Sequence, residues 1–178
     1  MTFGGVPSDM SICFEAANTG YINVPYSSTL STSQFTVEGW LNITNFPFGS
    51  DANMTPLSFD YHPNPPEDGW SLDIQDPDTD HALLVPSMAN GTSSTQPSDG
   101  TPIQGQWFYF AMTYNGTDFC TYTNGVLVTT TAAGYSPVTN DDGPLYLGCD
   151  NSFGPAHFYV TRCVTRSRRC RAPAFCGR

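Results

Sequence analysis

The chain has 178 residues, sixteen of them Asp or Glu and six of them Arg, which is about one domain's length. Every arginine lies at or beyond Arg162 and every acid at or before Asp150, so residues 1–161 carry a formal charge of −16 and residues 162–178 carry +6. A body without a basic side chain repels phosphate and has nothing to clamp a carboxylate or sulfate, which argues against nucleic acid and acidic glycans. With no run of about 18 apolar residues, membrane insertion is not expected either. Neutral sugar or a cation is the better match to such a surface.

Taken in chain order, strand signals alternate with Gly, Pro, Asn and Asp clusters, and no segment sustains a helical period. The first signals are Ile12-Cys13-Phe14 and Tyr21-Ile22-Asn23-Val24, the latter stopped by Pro25. Gln34 to Thr44 is the clearest: Phe35, Val37, Leu41 and Ile43 fall on one face, and Thr36, Glu38, Trp40 and Asn42 on the other. That is the period of a half-buried strand. Further strands are expected over 56–60, 69–75 and 82–88, separated by two loops, 61–68 and 89–104. Gln106 to Tyr114 places Phe108, Phe110, Met112 and Tyr114 on one face, and Asn115-Gly116 and Asn124-Gly125 read as tight turns around 118–123 and 126–131. The last strands expected are 145–147 and 157–160. So many short strands without a helix imply an all-β, two-sheet antiparallel sandwich.

Three cysteines, Cys13, Cys120 and Cys149, lie in the body and three, Cys163, Cys170 and Cys176, in the tail. None has metal-finger spacing, so zinc is not expected. Sequons at Asn42, Asn53, Asn90 and Asn115 fit an extracellular or cell-surface protein, although no leader is visible in Met1 to Met10.

Five segments, in order, resemble the concanavalin A-like lectin/glucanase superfamily and, within it, the LamG-like jelly rolls. They are Phe14-Glu15-Ala16-Ala17-Asn18-Thr19-Gly20-Tyr21-Ile22-Asn23-Val24-Pro25, Gln34-Phe35-Thr36-Val37-Glu38-Gly39-Trp40-Leu41, Gln106 to Gly116, Tyr122-Thr123-Asn124-Gly125-Val126-Leu127-Val128 and Leu145-Tyr146-Leu147-Gly148. The resemblance implies a jelly-roll sandwich over residues 1–161. It also implies one of the activities that this fold hosts: lectin, carbohydrate-binding module, adhesion module or glycoside hydrolase. Phe153 to Val160 fits the start of the family's final strand, after which Thr161 to Arg178 departs abruptly. Two readings of 162–178 stay open: a segment read one base out of frame and loosely attached, or a native basic tail tied back by disulfides.

Candidate chemistry is thin. The hydrolases of this superfamily carry Glu-x-Asp-x-x-Glu on one strand, because cleavage needs two carboxylates about 5–9.5 Å apart. Here Asp73 shares a face with Gln75, but no Glu precedes Asp73 by two residues. His62, His81 and His157 lack a nucleophile partner in sequence. Asp76, Asp78 and Asp80 have the spacing of a calcium loop, with His81 where an EF-hand needs Gly. Asp141, Asp142 and Asp150 sit in two further acidic loops, so calcium is the cofactor to consider. Glu38, Trp40 and Asn42 suit a sugar platform, with an aromatic for the pyranose C–H face and polar atoms for hydroxyls. Tyr61, Trp70 and Asp73 are further ligand candidates. The expectation is a non-catalytic domain that binds a neutral glycan or an extracellular protein, aided by calcium. The alternatives are a hydrolase or polysaccharide lyase relative with a degenerate site, and a structural adhesion module.

Overall fold

The computed structural model describes residues 12, 14, 20–43, 53–59, 68–78, 81–97, 105–137, 143–149 and 163–164. Within them lie eleven strands and no helix: β1 (Ile22–Val24), β2 (Phe35–Asn42), β3 (Asn53–Phe59), β4 (Asp68–Asp78), β5 (His81–Asn90), β6 (Ser94–Thr95), β7 (Trp107–Tyr114), β8 (Asp118–Thr123), β9 (Val126–Ala132), β10 (Leu145–Leu147) and β11 (Cys163–Val164). They form a six-stranded sheet ordered β1-β10-β3-β4-β5-β6 and a five-stranded sheet ordered β11-β2-β7-β8-β9, antiparallel throughout. The two-sheet architecture is the one the alternation of the sequence predicts.

Alternation also decides which side chains meet between the sheets. Leu41 and Ile43 of the β2 segment and Phe108, Phe110, Met112 and Tyr114 of β7 pack against Met54, Leu57 and Phe59 of β3 and Trp70, Leu72 and Ile74 of β4. Removing each such side chain from water is worth about 1.5–3 kcal/mol. Aromatic rings run through this core. Phe59 lies 5.6 Å from Trp70, Trp70 5.8 Å from Phe35, and Phe35 6.1 Å from Tyr114, so the line crosses from one sheet to the other.

Turn chemistry fixes the registers. Asn124 and Gly125 have φ of 51° and 80°, the two positive values that a two-residue hairpin with native twist requires, and Thr123 then opposes Val126. Asn115 Oδ1 accepts from the backbone N–H of Thr117 and Asp118, closing the β7–β8 turn.

Three differences from the sequence reading have physical causes. β3 starts at Asn53 rather than 56, with Pro56 in its middle. The register shifts between Met54 and Leu57, and a bulge is where a strand can hold a residue that lacks N–H. β6 forms inside the stretch read as loop 89–104. Asn90 Oδ1 accepts from the N–H of both Thr92 and Ser93, and Gly91 takes φ 84°; the chain turns back at once onto β5. Finally, Cys163–Val164 lies on β2, with Cys163 opposite Leu41 and Val164 opposite Trp40, so a segment assigned to the tail supplies a sheet edge. The strand expected at 157–160 lies outside the described residues.

A tyrosine pair ties the sheets together behind β9. The buried Tyr114 hydroxyl faces two carbonyl oxygens, Ala133 O at 2.7 Å and Tyr135 O at 2.5 Å. The Tyr135 hydroxyl in turn reaches Met88 O at 2.9 Å and Thr95 Oγ1 at 2.6 Å. One tyrosine from the five-stranded sheet thus positions another that grips β5 and β6.

Candidate functional site

Each sheet turns one face away from the core, and the two faces differ in chemistry. On the six-stranded sheet, Ser71 and Asp73 of β4 alternate with the core residues Trp70, Leu72 and Ile74. Pairing sets Ser58, Ser71 and Ser87 in one row across β3, β4 and β5. Asp73 is 8 % exposed and accepts from Thr55 Oγ1 at 2.6 Å and Ser71 Oγ at 2.8 Å. The β3 bulge places Thr55 for this bond. Ser58 Oγ donates to Cys149 O at 3.1 Å, while Ser87 Oγ has no hydrogen-bond partner among the described residues. Tyr146 continues the row beside Asn23 of β1. Burial, then Cys149 and Tyr21, raise the Tyr146 phenol above its ordinary value against the pull of a hydrogen bond with Asn23. The floor is therefore hydroxyl-rich, and Thr55, Ser58, Ser71, Asp73 and Ser87 are all buried.

On the five-stranded sheet the outward face is aromatic and reaches solvent. Trp40 of β2 lies opposite Tyr109 of β7, and their rings sit 5.6 Å apart at 59°. Glu38 lies opposite Ala111, which lies opposite Tyr122 of β8, which lies opposite Leu127 of β9. Trp40, Trp107, Tyr109 and Tyr122 are half-buried and Glu38 is exposed. The Tyr109 hydroxyl donates to Glu38 Oε2 at 2.5 Å, so the carboxylate is held at the edge of the ring pair. This face combines apolar ring surface with fixed polar atoms, which is what a sugar requires.

The sequence candidates divide accordingly. Glu38 and Trp40 stand together on the aromatic face. Asn42 follows them on β2 but is only 7 % exposed: its Nδ2 donates to Gly105 O at 3.3 Å, and its Oδ1 has no partner among the described residues. Trp70 is corrected: it is 7 % exposed and lies in the core against Phe35 and Phe59, because it shares strand parity with Leu72 and Ile74. Asp73 does face away from the core, on the opposite sheet from Glu38, yet it is buried and bonded rather than solvated. Tyr61, His62, Asp80, Asp141, Asp142, Asp150 and His157 lie outside the described residues. For Asp76 and Asp78 only the backbone is described, at the end of β4, where Asp78 pairs with His81. Among the described residues no group of three or more His, Cys, Asp or Glu is arranged to hold a metal ion, and no helix is long and apolar enough to cross a membrane.

Trp107 and Tyr109 were missed although their signal was present: they occupy the positions of β7 that alternate with Phe108, Phe110 and Met112. What the sequence lacked was the in-register β2–β7 pairing that sets Tyr109 beside Trp40.

Solved structures of the same fold support this layout. The binding domain of Paraclostridial Mosquitocidal Protein 1 superposes with a TM-score of 0.64 at 13% identity, over 92% of this chain and 42% of that one. Mouse laminin alpha1 chain domains LG4-5 give 0.61 at 14% identity, over 93% of this chain and 42% of that one. This chain thus spans less than half of either. Domain 4 of AbnA, an extracellular arabinanase of Geobacillus stearothermophilus solved with arabinotriose, gives 0.59 at 16% identity, over 90% of this chain and 74% of that one. At such identities the likeness is one of fold. No curated protein matches the chain. The match that decides its kinship is to a family over residues 16–160, and by it the chain belongs to the concanavalin A-like lectin/glucanases superfamily.

Proposed function

We propose that this is a non-catalytic domain that binds glycan on the aromatic face of its five-stranded sheet. The observation that carries this reading is the Trp40–Tyr109 ring pair, with the Tyr109 hydroxyl bonded to the Glu38 carboxylate. A half-buried ring pair loses little conformational freedom on binding, and the bonded carboxylate is already oriented to accept from a sugar hydroxyl. Neighbours of the same fold include a domain solved with an arabinose trisaccharide, which fits the same class of ligand.

Placement of the two candidate acids Glu38 and Asp73 supports the non-catalytic reading. Glu38 and Asp73 lie on the outward faces of opposite sheets. Sheets pack about 10 Å apart, and these side chains point away from each other, so they cannot flank one glycosidic bond at the required spacing. The Asp73 carboxylate is also occupied by two hydroxyl donors.

Calcium belongs to this proposal as a second ligand of the acidic turns around Asp76, Asp78 and Asp80 or Asp141, Asp142 and Asp150. An extracellular setting agrees with the extracellular arabinanase among the neighbours of the same fold. A glycan array run with calcium and with chelator, followed by calorimetry on Trp40→Ala, tests the reading. Binding that disappears in Trp40→Ala supports it, and calcium dependence assigns the metal. An intact glycan signal in a folded Trp40→Ala would move the site elsewhere. Release of reducing sugar from the ligand would reject the non-catalytic reading.

A further inference from the structure

Glycan chemistry can be narrowed by the charge around the aromatic face. Glu38 is exposed, and its Oε2 accepts a hydrogen bond from the Tyr109 hydroxyl. No lysine or arginine occurs before Arg162, whereas all sixteen acids do. An exposed carboxylate beside ring faces is a match for a cation, because the negative face of an aromatic ring and the carboxylate attract the same charge. The 59° angle between the Trp40 and Tyr109 rings forms a corner, not a flat wall; Tyr122 extends the patch next to Glu38 through the Ala111 row.

We infer that the aromatic face selects a glycan bearing a free, protonated amine, as in a glucosamine unit, over the N-acetylated or acidic sugar. This rests on the proposed glycan-binding reading and specifies its ligand class. The ring pair takes the pyranose C–H face, Glu38 takes the ammonium, and the negative body disfavours carboxylated sugars at longer range.

The test is calorimetry of the full chain against three probes at a pH where the amine is protonated. They are a glucosamine tetramer, its fully N-acetylated counterpart and a sialylated oligosaccharide. The glucosamine tetramer is expected to bind about tenfold more tightly than the acetylated one, with the advantage shrinking as salt rises. Glu38→Gln should weaken the glucosamine tetramer more than the acetylated one and so bring the two affinities together, and Trp40→Ala should abolish both. Equal affinities in the wild type, tighter binding of the acetylated or sialylated probe, or an amine preference that survives Glu38→Gln would overturn the inference while leaving glycan binding standing. Failure of all three probes to bind would remove the inference and count against the glycan reading as well.

Discussion

Replacing Tyr114 by Phe deletes one oxygen and leaves the ring, so the buried aromatic packing of residue 114 is kept. What is lost is the donor to the carbonyls of Ala133 and Tyr135, at 2.7 and 2.5 Å. Ala133 is 2 % exposed, so water cannot easily take the vacated place. A net hydrogen bond is worth about 1 kcal/mol, and a stranded buried acceptor costs about 1–3 kcal/mol, so a loss of about 2 kcal/mol is expected. In a chain of this size that lowers Tm by about 4–8 °C. Urea unfolding followed by tryptophan fluorescence measures it directly. The same substitution has a pH signature. Burial, then the charge of Asp118, raise the Tyr114 phenol above its ordinary value of 10.0, against the hydrogen bond with Tyr135. Above that pH the unfolded chain gives up the proton while the folded one keeps it. Stability from this group is thus fully present below pH 10 and is lost as pH rises through the folded value. Tyr114→Phe should flatten part of the alkaline decline, the remainder belonging to groups such as Tyr146. A Tyr114→Phe loss below about 0.5 kcal/mol, or an unaltered alkaline limb, would refute the latch as described. Tyr135→Phe, which frees Met88 O and Thr95 Oγ1, should be non-additive with Tyr114→Phe, because the first tyrosine positions the second.

Asp73→Ala strands the buried hydroxyls of Thr55 and Ser71 and should cost about 2–4 kcal/mol, whereas Asp73→Asn keeps one acceptor and should cost about half; chemical denaturation separates the two. Gly148→Ala puts a Cβ 2.6 Å from Phe14 Cδ1 at a backbone φ of +91°. It should lose at least about 2 kcal/mol, read as a drop in denaturation midpoint. Leu127 is 51 % exposed on the edge strand β9. Leu127→Lys should therefore change stability by less than about 0.5 kcal/mol while raising the concentration at which light scattering first appears.

Strand parity made much of this legible in advance. The two faces of β2 and the apolar face of β7 follow directly from alternate residues, and Asn124-Gly125 announces its hairpin. Pairing between distant strands was not legible. Nothing in the sequence states that Tyr109 lies across from Trp40, or that Thr55 reaches Asp73 through a bulge, because both depend on registers set by contacts far apart in the chain. Trp70 misled for a related reason. A tryptophan beside a polar loop looks like a ligand platform until its strand extends to Asp68 and its parity with Leu72 and Ile74 becomes plain. The hydroxyl floor was invisible because serine and threonine read equally well as surface or turn.

Strand β10 lies between β1 and β3, with Leu147 opposite both Ile22 and Leu57. The hairpins β3–β4–β5 and β7–β8–β9 join neighbours in sequence and can form early, since their loops are cheap to close. β10 must instead travel back past more than eighty residues of chain to fill its slot. On a ribosome, β1 and β3 would wait as open edges until residue 147 has emerged. The six-stranded sheet is thus expected to close late, with the short apolar stretch Leu145–Leu147 as its zipper pull. Substitutions there should slow refolding less than they speed unfolding.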